Sequence, residues 1–295
     1  MASIESRLFY SLLRLINKKK FLEMQFAFGK FDFNNSKEPP VELTRKINVK
    51  KHTVNNRAVF TLSPKSKATG THILYLHGGA YVQNFVKQHW YFLSMLVEQT
   101  HCTIVAPDYP LAPKHTFVAA FDLVISLYKT LITEVGSNHT ILMGDSAGGG
   151  FALALAQRMR QEDALQPNKI ILLSPWLDIT LTNPDIKKID LIDPFLGIHG
   201  LRKAGLAYAG DADPGNFLLS PINGPLDQLG EISLFIGSRD IFVADARKLY
   251  IVAKEKGIKI NYREYEDMVH VWMLLNFRES KLAKQEIMSL IIEHR

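Results

Sequence analysis

An α/β fold, with a mostly parallel sheet covered by helices on both faces, is what this 295-residue sequence predicts. Three observations predict it. Short, almost uniformly apolar runs recur along the chain; from Ile73 onward they mostly alternate with stretches of helical periodicity; and no linker separates one part from another. Strands that are apolar on both sides need cover on both sides, and crossover helices supply it. A composition of 47% hydrophobic and 22% charged residues is that of a globular chain.

The elements follow in chain order. Ile4, Leu8, Leu12, Leu15 and Ile16 recur at helical spacing and predict an amphipathic helix. Packing on the rest of the protein is the expected use of that stripe, with a membrane surface as the alternative. Arg7, Arg14 and Lys18 to Lys20 interrupt the apolar stretch, so it is neither a signal peptide nor a spanning segment. Cys102 is the single cysteine, which excludes an intramolecular disulfide and a Cys-based zinc site. The chain therefore reads as soluble, with the cytoplasm as its expected location.

After the Glu38-Pro39-Pro40 breaker come two β-rich runs, 47–54 and 58–62, with no helix between them. They predict an antiparallel hairpin at the edge of the sheet. Further strands are expected at 73–76, 103–106, 140–143, 170–173, 232–236 and 258–262. Helices are expected at 86–99, 116–134, 147–162, 243–256 and 279–293. Residues 177–216 break the alternation: they hold Pro184, Pro194, Pro214 and six Asp, and show no clear strand. Such an excursion is too long for an ordinary connection and reads as an inserted lid. Together with residues 1–40 it would form a cap on a single domain spanning 1–295.

The net charge of +6 is unevenly placed. Residues 1–57 carry 12 Lys/Arg against 5 Asp/Glu, whereas residues 58–295 carry 23 against 24. A nucleic-acid binder would carry basic residues through its main domain, so no such partner is expected. The expected partner is a small molecule, and a homodimer is left open. Neither a phosphate-binding glycine loop nor a metal-ligand spacing occurs, so no cofactor and no metal are expected.

The sharpest feature is Gly144-Asp145-Ser146-Ala147-Gly148, set between an apolar strand and a helix. That setting holds a serine hydroxyl out on a tight turn beside a helix N-terminus, where developing negative charge is favoured. Serine is a weak nucleophile and needs a base, which needs an orienting acid. His270, beyond the strand at 258–262 and an acidic turn at 264–267, is the best-placed base. Asp240, just past the strand at 232–236, is the acid, with Asp245 as runner-up; Glu266 and Asp267 lie too near His270 in sequence. An oxyanion hole is expected from the loop after the strand at 73–76, using Gly78, Gly79 and Ala80, with the amide of Ala147.

HGGA at 77–80, APDYPLAP at 106–113, GDSAGG at 144–149, Asp240 and His270 together resemble the hormone-sensitive-lipase-type family of α/β-hydrolase esterases. The resemblance spans roughly residues 70–275. It implies the α/β-hydrolase fold with a helical cap, and serine carboxylesterase activity on short to medium acyl esters without a cofactor. The sequence departs from that family at three places. Ala80 replaces the usual third glycine but keeps its N–H. Pro110 and Lys114 stand where the family commonly has Arg and Glu, which removes an ion pair expected to support the oxyanion loop. An amidase or peptidase with the same triad, a non-catalytic binding module, and a membrane-surface lipase are the competing readings. Phe21, Phe26, Phe28, Phe31 and Phe33 would line an acyl pocket or pack the cap.

Overall fold

A computed structural model describes residues 2–32 and 35–293. Two helices, α1 (Ile4–Leu15) and α2 (Phe21–Phe28), precede the sheet. The strands are β1 (Ile47–Val54), β2 (Arg57–Pro64), β3 (His72–Leu76), β4 (Thr103–Pro107), β5 (Thr140–Asp145), β6 (Lys169–Leu173), β7 (Glu231–Gly237) and β8 (Ile260–Tyr265). Between and after them lie α3 (Lys87–Thr100), α4 (Phe117–Val135), α5 (Ala147–Gln161), α6 (Ile186–Asp190), α7 (Ile198–Ala209), α8 (Val243–Glu255) and α9 (Arg278–Ile292).

Among the described residues the strands form one sheet in the order β1-β2-β4-β3-β5-β6-β7-β8. From β4 to β8 all neighbours are parallel, while β1–β2 and β2–β4 are antiparallel. The edge hairpin turns at Asn55-Asn56, both with positive φ (49° and 59°). A two-residue turn of that hand matches the twist of the flanking strands, and asparagine tolerates the conformation.

Alternation along the strands sorts side chains into two cores. Ile73, Tyr75, Ile141, Met143, Ile171 and Leu173 pack with Trp90 and Leu93 of α3 and Ile287 of α9. Leu74, Leu76, Leu142, Ile170, Leu172 and Leu234 pack with Val124 of α4, Leu153 of α5 and Leu249 of α8 on the other face. Each such side chain fully buried favours folding by about 1.5–3 kcal/mol. That is why these strands read as continuous apolar runs. The parallel arrangement brings the carboxyl ends of β3, β5, β7 and β8 to one edge, where the loops carrying the predicted site begin.

Two expectations change. β8 begins two residues later than predicted and runs on to Tyr265. Ile258 instead lies just past α8 and closes its end, donating its N–H to the Ala253 carbonyl, and Glu264 and Tyr265 pair with β7 rather than forming an acidic turn. The 177–216 excursion has no strand, as expected; it holds α6 and α7, and α7 packs on α2. Most consequentially, α1 forms but turns its predicted stripe outward. Its buried residues are Ser6 and Leu13, and Phe9 packs against Phe277, so Ile4, Leu8, Leu12 and Leu15 face away.

Candidate active site

Ser146 stands between β5 and α5 with φ 52° and ψ −121°. A side chain tolerates this left-handed backbone only where its surroundings enforce it. The Ser146 N–H donates to the Leu173 carbonyl (2.8 Å), and its own carbonyl accepts from the Trp176 N–H (2.9 Å). Tight packing explains the flanking glycine at 148: a Cβ there would overlap the Leu76 carbonyl on the neighbouring strand.

The three predicted catalytic side chains meet. His270 Nε2 lies 2.9 Å from Ser146 Oγ, and His270 Nδ1 lies 2.7 Å from Asp240 Oδ2. All three are buried, Ser146 retaining 7% exposure, His270 3% and Asp240 none. Asp240 Oδ1 accepts the Phe242 N–H (3.0 Å), which fixes the carboxylate plane. With Nδ1 directed at a carboxylate, the ring's proton belongs on that nitrogen and Nε2 is left to accept from the serine hydroxyl. Burial on its own would lower the His270 pKa. The charge of Asp240 and its hydrogen bond, with Asp193 and Asp145 behind, outweigh burial and raise it.

The acids set aside in the sequence stand elsewhere. Asp245 is held by Asn183 (2.9 Å), and burial pushes its carboxyl up to about 6. Asp267 pairs with Arg239 (2.7 Å) and donates its N–H to Ser238 Oγ (2.8 Å). These contacts lace the loop carrying Asp240 to the loop carrying His270.

Asp193 is a participant the sequence did not disclose. Its carboxylate accepts the N–H groups of Phe195 (2.6 Å), Leu196 (3.0 Å) and Ile241 (2.8 Å), the last being the residue after Asp240. Burial and the neighbouring Asp240 charge raise its pKa to about 7. It lies in the proline- and aspartate-rich excursion, where no periodicity marks one acid above another. Ser174 was missed as well; its Oγ accepts the Val271 N–H (3.1 Å) and so tethers the histidine loop to the end of β6.

The loop after β3 takes backbone conformations that bring its amides round. Gly79 has φ +120°, and Ala80 (φ 53°) and Tyr81 (φ 61°) are left-handed. No acceptor among the described residues takes the N–H groups of Gly79, Ala80 or Ala147. Gly78 differs from expectation: its N–H donates to Asp145 Oδ1 (2.8 Å) and is not available to a substrate oxygen. Asp145 also accepts from Tyr75 Oη (2.6 Å) and from His89 Nε2 (3.2 Å). Burial opposes its charge, but His89, Tyr75 and the Gly78 amide together hold its pKa below the usual carboxylate value. Beneath the loop, the His77 ring stacks on Tyr109 (4.3 Å), whose hydroxyl donates to the His77 carbonyl (2.6 Å). Burial, with His89 nearby, drops the His77 pKa to about 3 and keeps that ring neutral.

The support thought lost with Pro110 and Lys114 is replaced from another element. Arg57 on β2 donates to Asp108 Oδ1 (2.7 Å), to the Asp108 carbonyl (2.7 Å) and to the Tyr109 carbonyl (3.2 Å). Asp108 Oδ1 also accepts from Asn84, which sits just past the loop after β3.

Aromatic rings border the site. Phe195 and Phe242 lie 5.7 and 5.3 Å from the His270 ring, Trp176 stacks on Phe242, and Tyr81 lies between Trp176 and Tyr208 of α7. Of the N-terminal phenylalanines, Phe26 and Phe31 pack edge-to-face (4.9 Å) against the core, while Phe28 is exposed. Phe33 lies outside the described residues.

Comparison with known proteins agrees with the fold. Residues 73–274 match the family model described as alpha/beta hydrolase fold. An esterase of Acinetobacter venetianus is 31% identical over 229 residues, covering 76% of this chain and 75% of that one. The crystal structure of EstE5 soaked with p-nitrophenyl butyrate superposes with a TM-score of 0.86 at 28% identity, over 99% of each chain. A hormone-sensitive lipase from a metagenome library shares the fold over the whole of both chains, with a TM-score of 0.86 at 24% identity. The chain belongs to the alpha/beta hydrolase fold family, among its carboxylic ester hydrolases.

Proposed function

We propose that this protein is a serine carboxylesterase acting on short to medium acyl esters through Ser146, His270 and Asp240. The observation that carries the reading is the pair of contacts on one imidazole, 2.9 Å to Ser146 Oγ and 2.7 Å to Asp240 Oδ2. His270 Nε2 takes the hydroxyl proton as Ser146 Oγ attacks the ester carbonyl. Asp240 holds the tautomer and stabilises the imidazolium that forms. The oxyanion is bound by the amides of Gly79, Ala80 and Ala147, near the N-terminus of α5, whose dipole favours the same charge. The imidazolium then protonates the leaving alcohol. Water, deprotonated by the same histidine, attacks the acyl-enzyme and releases the acid.

The described residues of 1–40, together with 177–216, form a cap over this site. The stack of Tyr208 on Tyr81 (3.8 Å) joins the second segment to the residue after Ala80, and α2 packs on α7 to join the first. The bulky rings at Tyr81, Trp176, Tyr208 and Phe242 favour a short acyl chain. The relatives named as esterases, and EstE5 with its p-nitrophenyl butyrate soak, support the substrate class.

Hydrolysis of p-nitrophenyl acetate, butyrate and decanoate by the wild type and by Ser146→Ala tests the reading. Turnover of the shorter esters, reduced to background in the variant, is expected. A wild type inert on all three, or a variant as active as the wild type, would refute it. A matched p-nitroanilide should be cleaved far more slowly than the ester.

A further inference from the structure

The outward face of α1 is an apolar surface that none of the described residues covers. Ile4, Leu8, Leu12 and Leu15 retain 75, 66, 51 and 83% of their exposure, and Ile16 just beyond retains 58%. At 100° per residue the four fall within roughly 80° of one helix face. The helix cannot turn them inward, because its other side is tied down. Ser3 donates through both N–H and Oγ to Glu279 (2.6 and 2.8 Å), Phe9 packs on Phe277, and Tyr10 Oη donates to the Ile192 carbonyl (3.2 Å). Scattered apolar side chains on a surface need no explanation, but a continuous row on a fixed helix marks an interaction site.

Charge decides what covers it. Arg7 and Arg14 lie along one border of the stripe, and Lys20 is exposed just past its end. Residues 2–30 carry six Lys/Arg against two Glu; Lys19 is paired with Asp190 and Lys18 is packed on Phe21, so Arg7, Arg14, Lys20 and Lys30 are the exposed cations, while the chain beyond residue 57 is close to neutral. A second copy of the chain, meeting this face with its own, would bring two cationic helices together. An anionic bilayer offers the opposite charge and an apolar interior at once, which is the environment of an amphipathic helix lying in an interface.

We propose that α1 docks this protein on anionic membrane surfaces, its apolar row inserted at the headgroup boundary and its basic residues on the lipid phosphates. The docking itself does not depend on the esterase reading. It does place the lipid close to the site: Lys18, three residues past α1, holds its Nζ 3.8 Å from the Phe21 ring and 5.4 Å from Phe195, which borders His270.

Co-sedimentation of the full chain with phosphatidylcholine vesicles, with and without phosphatidylglycerol, tests the proposal. Binding to the anionic vesicles is expected, weakened by salt and reduced about 10-fold or more in Leu8→Glu/Leu12→Glu. Arg7→Gln and Arg14→Gln should each weaken it about fivefold. The thermal midpoint and turnover of a soluble ester show whether each variant is folded; Leu15→Glu, at the most exposed position, serves should the double variant unfold. Absence of binding by the wild type, undiminished binding by the glutamate variants, or a wild-type dimer that they dissociate would each overturn the proposal.

Discussion

Arg57 and Asp108, 51 residues apart in sequence, form an ion pair at 2.7 Å that fastens the antiparallel edge of the sheet to the segment behind the loop after β3. Both side chains are largely covered, at 28 and 17% exposure, so water screens the pair less than a surface bridge. Through Asn84, which follows the loop in the chain, and Tyr109, which donates to the His77 carbonyl, the pair bears on the placement of the Gly79 and Ala80 amides. Arg57→Met should therefore lower kcat by about 10-fold with little change in KM, as expected when oxyanion donors are displaced. Arg57→Lys should restore part of the rate, though not the two-point contact. Steady-state kinetics on p-nitrophenyl butyrate separates the parameters.

Asp240→Asn should retain the fold and lose about 10⁴-fold in kcat, because an amide facing His270 Nδ1 favours the wrong tautomer. Circular dichroism and a turnover assay on the same sample check both halves of that statement.

The pH profile carries a sign. In the proposed mechanism His270 must be neutral to accept the serine proton, and its pKa is raised above the ordinary 6.5, so the acid limb of kcat/KM should lie above pH 6.5. The same shift means that protonated His270 adds stability at low pH, in full below the unfolded pKa. That contribution is lost as pH rises through the folded value. Asp193→Asn removes one of the charges that hold the proton, so its acid limb should move to lower pH. An unchanged limb would remove Asp193 from the electrostatics of the site.

Asp145 is expected to matter for stability. The Val86 N–H donates to His89 Nδ1 (3.0 Å), so His89 Nε2 carries the hydrogen that faces Asp145. Asp145→Asn would turn a donor toward that hydrogen or surrender the Tyr75 and Gly78 contacts. Either leaves a buried polar group unpaired, at a cost of about 1–3 kcal/mol, readable by urea denaturation.

Much of this was legible in the sequence because burial on two sides writes itself plainly. The apolar runs at 73–76, 140–143 and 170–173 lie within β3, β5 and β6, and Ser146, Asp240 and His270 stand at strand ends that parallel topology brings to one edge. Contacts between elements distant in sequence were not legible. Arg57 looked like one of many basic residues near the N-terminus, and Asp193 like one of six aspartates in an irregular segment. The inward face of α1 was misread for a related reason. Its periodicity locates an apolar stripe, yet which side meets the protein was decided by Ser3, Phe9 and Leu13 against Glu279 and Phe277. The Gly78 amide was likewise claimed by a side chain 67 residues away.

The central claim is that Ser146 Oγ is the nucleophile. Treatment with diethyl p-nitrophenyl phosphate, followed by intact-mass and peptide mass spectrometry, tests it most directly. One diethylphosphoryl adduct per chain, on Ser146 and matched by complete loss of esterase activity, is the predicted result. Full inactivation with the adduct on another residue, or labelling of Ser146 that leaves the activity intact, would contradict it.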